Sequence, residues 1–145
     1  MAIEPRYKKA RKLRDFMIET DMTKLFQEDE GQNTVFFRTA YPMLGDNKQV
    51  VINIDDTVYI GVQTLLVEDV KEDKKEEVLK CINNFNLQFP TLKYVLTKDN
   101  HIITSMFFNG DENTFDASLI LGTTIQMMKH IAEQHYGDLK TLLGQ

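Results

Sequence analysis

The sequence predicts an α+β domain in which helices pack on a five-stranded antiparallel sheet, in the order α-β-β-β-α-β-β-α. Three observations carry this. Apolar residues recur at helical spacing near the start, in the middle and near the end of the chain. Between these lie runs with a period of two. The links among the first three of these runs are too short for a parallel return, which needs a crossover of about a dozen residues.

The first helix is expected over Arg6 to Glu19, with Ala10, Leu13, Phe16 and Met17 on one side and Lys8, Lys9, Lys12 and Arg14 mainly elsewhere. Residues 20–33 are open: Asp21 to Gln27 fits a helical turn or a short extended piece, and Glu28 to Asn33 reads as a polar turn. Thr34 to Tyr41 is rich in β-formers and closes at Pro42. Leu44-Gly45-Asp46-Asn47 supplies a turn before a second strand, Gln49 to Ile54. Asp55-Asp56 then leads into a third, Thr57 to Val67, which makes a meander.

Asp73 with Glu76 three residues on reads as a helix start with a capping box. Val78, Leu79, Ile82 and Phe85 form the apolar side of that helix, which must end before Pro90. Leu92 to Thr97 and His101 to Phe108, joined by Lys98-Asp99-Asn100, read as a hairpin. The last helix carries Ala117, Ile120, Leu121, Thr124, Ile125, Met128, Ile131, Ala132 and His135 as one broad stripe, with Gly137 as its C-cap. A terminal turn, Asp138 to Leu143, docks through its leucines.

Two segments resemble a known family. Leu79-Lys80-Cys81-Ile82-Asn83-Asn84-Phe85-Asn86 is similar to an Asn-containing helix segment of the YbjN-like domain family, and Ile131 to Leu139 is similar to the end of that domain. The family shares the type III secretion chaperone-like fold, with the same order of elements. The resemblance covers roughly residues 10–143. It implies a bacterial, chaperone-like or regulatory protein, and it carries no active-site residues. Asn109-Gly110-Asp111 departs from the glycine- and proline-rich loop usual before the family's last helix.

A chain of 145 residues is the size of one domain, residues 1–145, and buries roughly 70% of its unfolded surface. Hydrophobic residues at 42% and charged residues at 27% are ordinary globular values. The single Cys81 forms no internal disulfide. The N-terminus lacks the apolar core of a signal peptide, and no run reaches the ~20 apolar residues of a membrane span. The expected location is therefore the cytoplasm, with no membrane partner. Residues 1–14 hold six basic groups and one acid within a chain of net charge −5, so the rest of the chain would repel nucleic acid.

No catalytic, metal or cofactor site is expected. His130 and His135 are five apart, whereas a helical zinc pair uses i, i+4. They are assigned to different faces, His130 solvated and His135 packed. Cys81 adjoins the core position Ile82 and reads as structural. The acid pairs Asp55-Asp56 and Asp111-Glu112 fall in turns, where carboxylates bind local backbone. The scattered glycines form no phosphate loop.

The functional hint is a surplus of apolar residues in the sheet. Alternation assigns Val50, Ile52, Ile54, Val58, Ile60, Val62, Met106 and Phe108 to one face. The other face still receives Phe36, Val51, Tyr59, Val95, Ile103 and Phe107. Either these six form an exposed patch that binds protein, or a helix crosses to cover them. The leading expectation is a non-enzymatic protein-binding module that forms a homodimer and engages an unidentified protein partner. The alternative is a small-molecule binder or enzyme with a pocket between the sheet and the last helix, near Thr124, His135 and Tyr136.

Overall fold

The computed structural model describes residues 3–145. Helix α1 (Pro5–Glu19) is followed by strands β1 (Gln27–Gly31), β2 (Thr34–Met43), β3 (Asp46–Asp55) and β4 (Tyr59–Val67). Next come α2 (Lys75–Asn86), β5 (Lys93–Leu96), β6 (Ile102–Asn109), α3 (Ala117–His130) and α4 (Tyr136–Leu142). The sheet has six strands in the order β1-β2-β3-β4-β6-β5, and every pairing is antiparallel. The α+β class and the antiparallel meander and hairpin agree with the sequence reading; the strand count of five does not.

The extra strand is β1, in the segment read as a polar turn. Its sequence, Gln-Glu-Asp-Glu-Gly, has no apolar period to detect. Pairing with β2 holds it in place, aided by bonds from Arg38 Nε to Asp29 (3.1 Å) and from Arg14 to Glu28 (2.6 and 2.8 Å). β2 runs on through Pro42 to Met43, past the last residue paired with β1, so the missing N–H disturbs no pairing on that side. The turn after β3 is longer than expected. Val58 precedes β4 and is 48% exposed, so it does not join the covered face.

Two helix boundaries also differ. Glu72–Lys74 forms a 3₁₀ turn and α2 begins at Lys75 with no side-chain cap, so Asp73 and Glu76 make no capping box. Gly137 lies inside α4 and caps nothing; the turn that follows α4 ends at Gly144, whose φ is +74°. Between α3 and α4 the backbone widens into a π-helical turn, Ile131–His135. At the start of α3 the Asp116 carboxylate does cap, accepting from Leu119 N–H at 3.0 Å.

One core cluster lies between the helices and the face of the sheet carrying Val35, Phe37, Val50, Ile52, Ile54, Ile60, Val62, Leu66, Ile102 and Met106. α1 contributes Ala10, Leu13 and Met17, α2 contributes Val78, Ile82 and Phe85, and α3 contributes Ile120, Leu121 and Met128. Ile125, assigned to that stripe, is 45% exposed. Nine positions made the stripe wider than the face a helix can bury against one sheet.

Candidate functional site

The side of the sheet opposite the core carries no helix among the described residues. Strand alternation places Phe36, Val51, Tyr59, Val95, Ile103 and Phe107 together on that side. Tyr59 and Phe107 are each 58% exposed and Val95 43%, while Phe36, Val51 and Ile103 are half-buried by their neighbours. α1 packs on the core side against β2 and β3. The first possibility raised by the sequence, an uncovered patch, is therefore the arrangement found.

The register defines the patch. One line crosses five strands through Asp29, Phe36, Asn53, Gly61 and Phe107. The next crosses all six through Gln27, Arg38, Val51, Gln63, Ser105 and Lys93. A third includes Leu65, Ile103 and Val95. Arg38, Asn53, Gln63 and Leu65 escaped the sequence reading, although the same alternation that found Val51 places them there.

Two glycines shape the aromatic groups. A Cβ on Gly61 would stand 3.2 Å from Phe107 Cε1, and one on Gly31 would stand 2.6 Å from Phe36 Cε2. Each ring thus lies across a glycine that has no side chain to lift it off the sheet. Arg38 sits over the Phe36 ring at 5.3 Å while bonded to Asp29, so its charge is neutralised within the patch. On this face opens a trough of about 720 Å³, lined by Phe36, Val51, Leu65 and Ile103, by the amides of Asn53 and Gln63, and by Arg38, Lys48 and Glu68. The trough mixes apolar side chains with amides that both donate and accept, and Lys48 and Glu68 bring charges of opposite sign to its lining.

The core side holds the polar chemistry, and the structure closes it off. Thr124, His135 and Tyr136 are 2–3% exposed. His135 lies between Tyr94 Oη, 2.6 Å from Nδ1, and Gln88 Oε1, 2.9 Å from Nε2. Tyr94 is the donor to Nδ1 when the ring carries its proton on Nε2 and gives it to Gln88. The ring stacks on Phe85 at 3.9 Å. Burial, helped by nearby His130, pulls the His135 pKa down to about 4; Asp138 acts weakly the other way. Burial likewise pushes the Tyr94 hydroxyl up.

Contrary to the five-residue spacing argument, the His130 and His135 rings meet edge to face at 4.7 Å. The π-helical turn between them has a wider period than an α-helix and so returns i+5 to the same side. His130 is half-buried against Phe89, with Nε2 unpartnered, and is not on the solvated face. Tyr136 Oη donates to Asp46 at 2.7 Å, and that bond, with Lys140, lowers the Asp46 pKa. Cys81 is half-buried, and burial raises its pKa, which disfavours the thiolate.

The acid pairs act locally. Asp56 accepts from Arg6 N–H and guanidinium at 3.0 and 2.7 Å, tying the start of α1 to the β3–β4 turn. Asp111 Oδ1 accepts from Asn113 and Thr114 amides, both at 2.8 Å. Lys9 is fully buried, its ammonium on Thr57 O. Burial lowers its pKa, offset in part by Asp55, Asp56, Asp111 and Glu112. No described helix is long and apolar enough to cross a membrane.

Neither protein-family models nor curated proteins match this chain.

Proposed function

We propose that the chain is a non-enzymatic protein-binding module whose uncovered sheet face holds an extended, mostly uncharged segment of a partner polypeptide. The supporting observation is the one-sided helical cover, which leaves Tyr59 and Phe107 each 58% exposed on the face that also carries the trough. Exposed aromatic residues of this kind serve as anchors in protein interfaces. The amides of Asn53 and Gln63 suit the peptide groups of an extended chain, Arg38 is paired with Asp29, and Lys48 and Glu68 in the lining are opposite in sign, so no single charge dominates the trough. The chaperone-like class implied by the YbjN-like resemblance belongs to the same reading. A pocket near Thr124, His135 and Tyr136 is disfavoured, because all three are closed off and two are tied by short hydrogen bonds.

The test is a titration of the isotope-labelled chain with a reduced, alkylated, permanently unfolded polypeptide, followed by amide shifts. Shifts should concentrate on Phe36, Val51, Gln63, Ile103 and Phe107 and weaken at least about tenfold in a Val51→Ser/Phe107→Ser variant. No shifts, or shifts confined to the helical side, would refute the proposal.

A further inference from the structure

The trough on the uncovered face does not stop at β2. Arg38, Asn47 and Gln49 line both it and a second hollow of about 370 Å³, whose far end is formed by Lys24, Leu25 and Ala40. Leu25 is 61% exposed, and Ala40 is exposed too. The two hollows make one groove. It crosses the sheet from Ile103 on β6, over β4, β3 and β2, to the 3₁₀ turn Thr23–Leu25 that precedes β1.

The two directions on this face differ in chemistry. Along β3 the outward positions are Asn47, Gln49, Val51 and Asn53, so a chain lying parallel to the strands would meet mostly amides. Across the strands the groove starts at Ile103 and Leu65, passes Val51 and finishes at Ala40 and Leu25. A chain lying crosswise therefore touches apolar groups at both ends and in the middle. Phe36 and Phe107 belong to the row next to that of Val51, about 7 Å away along the strands, where projecting side chains reach them.

The ends of the groove also differ in charge. Lys24 stands beside Leu25 at one end, and Glu68 lines the trough on the β4 side. Both are exposed, and neither joins an ion pair among the described residues. The other cations of the lining are engaged within the chain: Arg38 is bonded to Asp29, and the Lys48 ammonium lies 5.1 Å from the centre of the Tyr136 ring. One basic and one acidic group remain for a ligand, at opposite ends.

We propose, building on polypeptide binding at this face, that the bound segment lies crosswise to the strands, uncharged within the groove, with an acidic residue beside Lys24 and a basic residue beside Glu68. The four inter-strand steps from β6 to β1, at ~4.8 Å each, span ~19 Å, which an extended run of about six residues fills. A charge in the middle of that run would lose water with no opposite charge to meet it. Side chains do the binding, so either chain direction satisfies the two ends.

The test uses four end-blocked peptides that share the centre Leu-Val-Ser-Thr-Val-Leu and carry Glu and Lys, Lys and Glu, Glu and Glu, or Lys and Lys at their ends. In fluorescence anisotropy the two mixed peptides should bind at least about threefold more tightly than the other two at low salt. The difference should vanish near 1 M salt, where screening shortens to ~3 Å. Lys24→Glu should move the preference to the peptide with lysine at both ends, with circular dichroism confirming an unchanged fold. A nitroxide on the acidic end of a mixed peptide should broaden amide signals near Leu25 and Ala40, and one on the basic end those near Leu65 and Ile103. Equal affinity for all four peptides, a preference unmoved by Lys24→Glu, or labels that separate Asn47 from Asn53 along β3 would overturn the crosswise placement and leave polypeptide binding on this face standing. Peptides and unfolded polypeptide that all bypass the face would overturn both.

Discussion

Acidification should destabilise the fold through His135. The ring is 2% exposed and titrates at about 4, against 6.5 for an ordinary histidine. Between those pH values the unfolded chain holds a proton that the folded chain does not. Protonation therefore favours unfolding, and stability is lost as pH falls from about 6.5 to about 4. At about 1.4 kcal/mol per pH unit the full separation amounts to ~3 kcal/mol. Gln88, on one side of the ring, is solvent-exposed, and relaxation there lowers the expected loss to between about 1.5 and 3 kcal/mol. The structural cause is specific. Tyr94 and Gln88 satisfy the neutral tautomer, Phe85 covers one ring face, and His130 stands edge-on as a like-charged neighbour once protonated. Asp138 is the one acid that opposes the shift.

Urea denaturation at intervals from pH 7 to pH 4.5 measures this, with His135→Phe as reference. That variant should be less stable at neutral pH by about 1–2 kcal/mol, because Tyr94 and Gln88 lose their partner. Its stability should then fall less steeply than that of the parent, so the two curves converge as the pH drops. Asp46 and Asp111, whose pKa values are lowered, contribute below pH 4 and do so equally in both proteins. Parallel curves between pH 6.5 and 4.5, or a measured His135 pKa above 6, would refute the reasoning.

Asn86→Ala should cost about 2 kcal/mol in chemical denaturation, because the Asn86 amide accepts from Tyr94 N–H at 2.6 Å and donates to Tyr94 O at 3.1 Å. Hydrogen exchange at Tyr94 should accelerate in the same variant, and an unchanged rate would show that the edge is protected by something else. Lys9→Ala should destabilise by about 2 kcal/mol, since it leaves Thr57 O without its donor and empties the space filled by a fully buried side chain. Thermal melts of Lys9→Ala and Lys8→Ala discriminate: only the former should shift markedly, because Lys8 is an exposed ion-pair residue.

Much of this architecture was legible in the sequence because it rests on periodicity. Val50, Ile52 and Ile54 alternate with Val51 and Asn53, so a strand, its two faces and the surplus on the second face follow from spacing alone. What stayed hidden depends on long-range pairing. β1 has no apolar residue to alternate, and its strand conformation follows from hydrogen bonding to β2. The π-helical turn leaves no mark in composition, yet it decides that His130 and His135 meet. The glycines under Phe36 and Phe107 were visible as residues, but their role depends on the register that brings Gly31 and Gly61 beneath those rings.

The two edges of the sheet limit how a partner can bind. On the β5 side the Asn86 amide takes the place of a neighbouring strand by bonding both backbone groups of Tyr94. On the β1 side the outermost strand is five residues long and carries Glu28, Asp29 and Glu30 in succession, which repel another acidic strand and leave little length to pair with. Strand addition is thus hindered at the β5 edge by Asn86, and self-pairing at the β1 edge is hindered by its run of acids. In the proposed mode a polypeptide is recognised from above, by side chains, at Phe36, Val51, Ile103 and Phe107, and not through main-chain bonds at an edge. Binding of this kind has a clear signature: it should be sensitive to Phe107→Ser and insensitive to proline in the bound segment, because strand addition needs the ligand's N–H groups and side-chain docking does not.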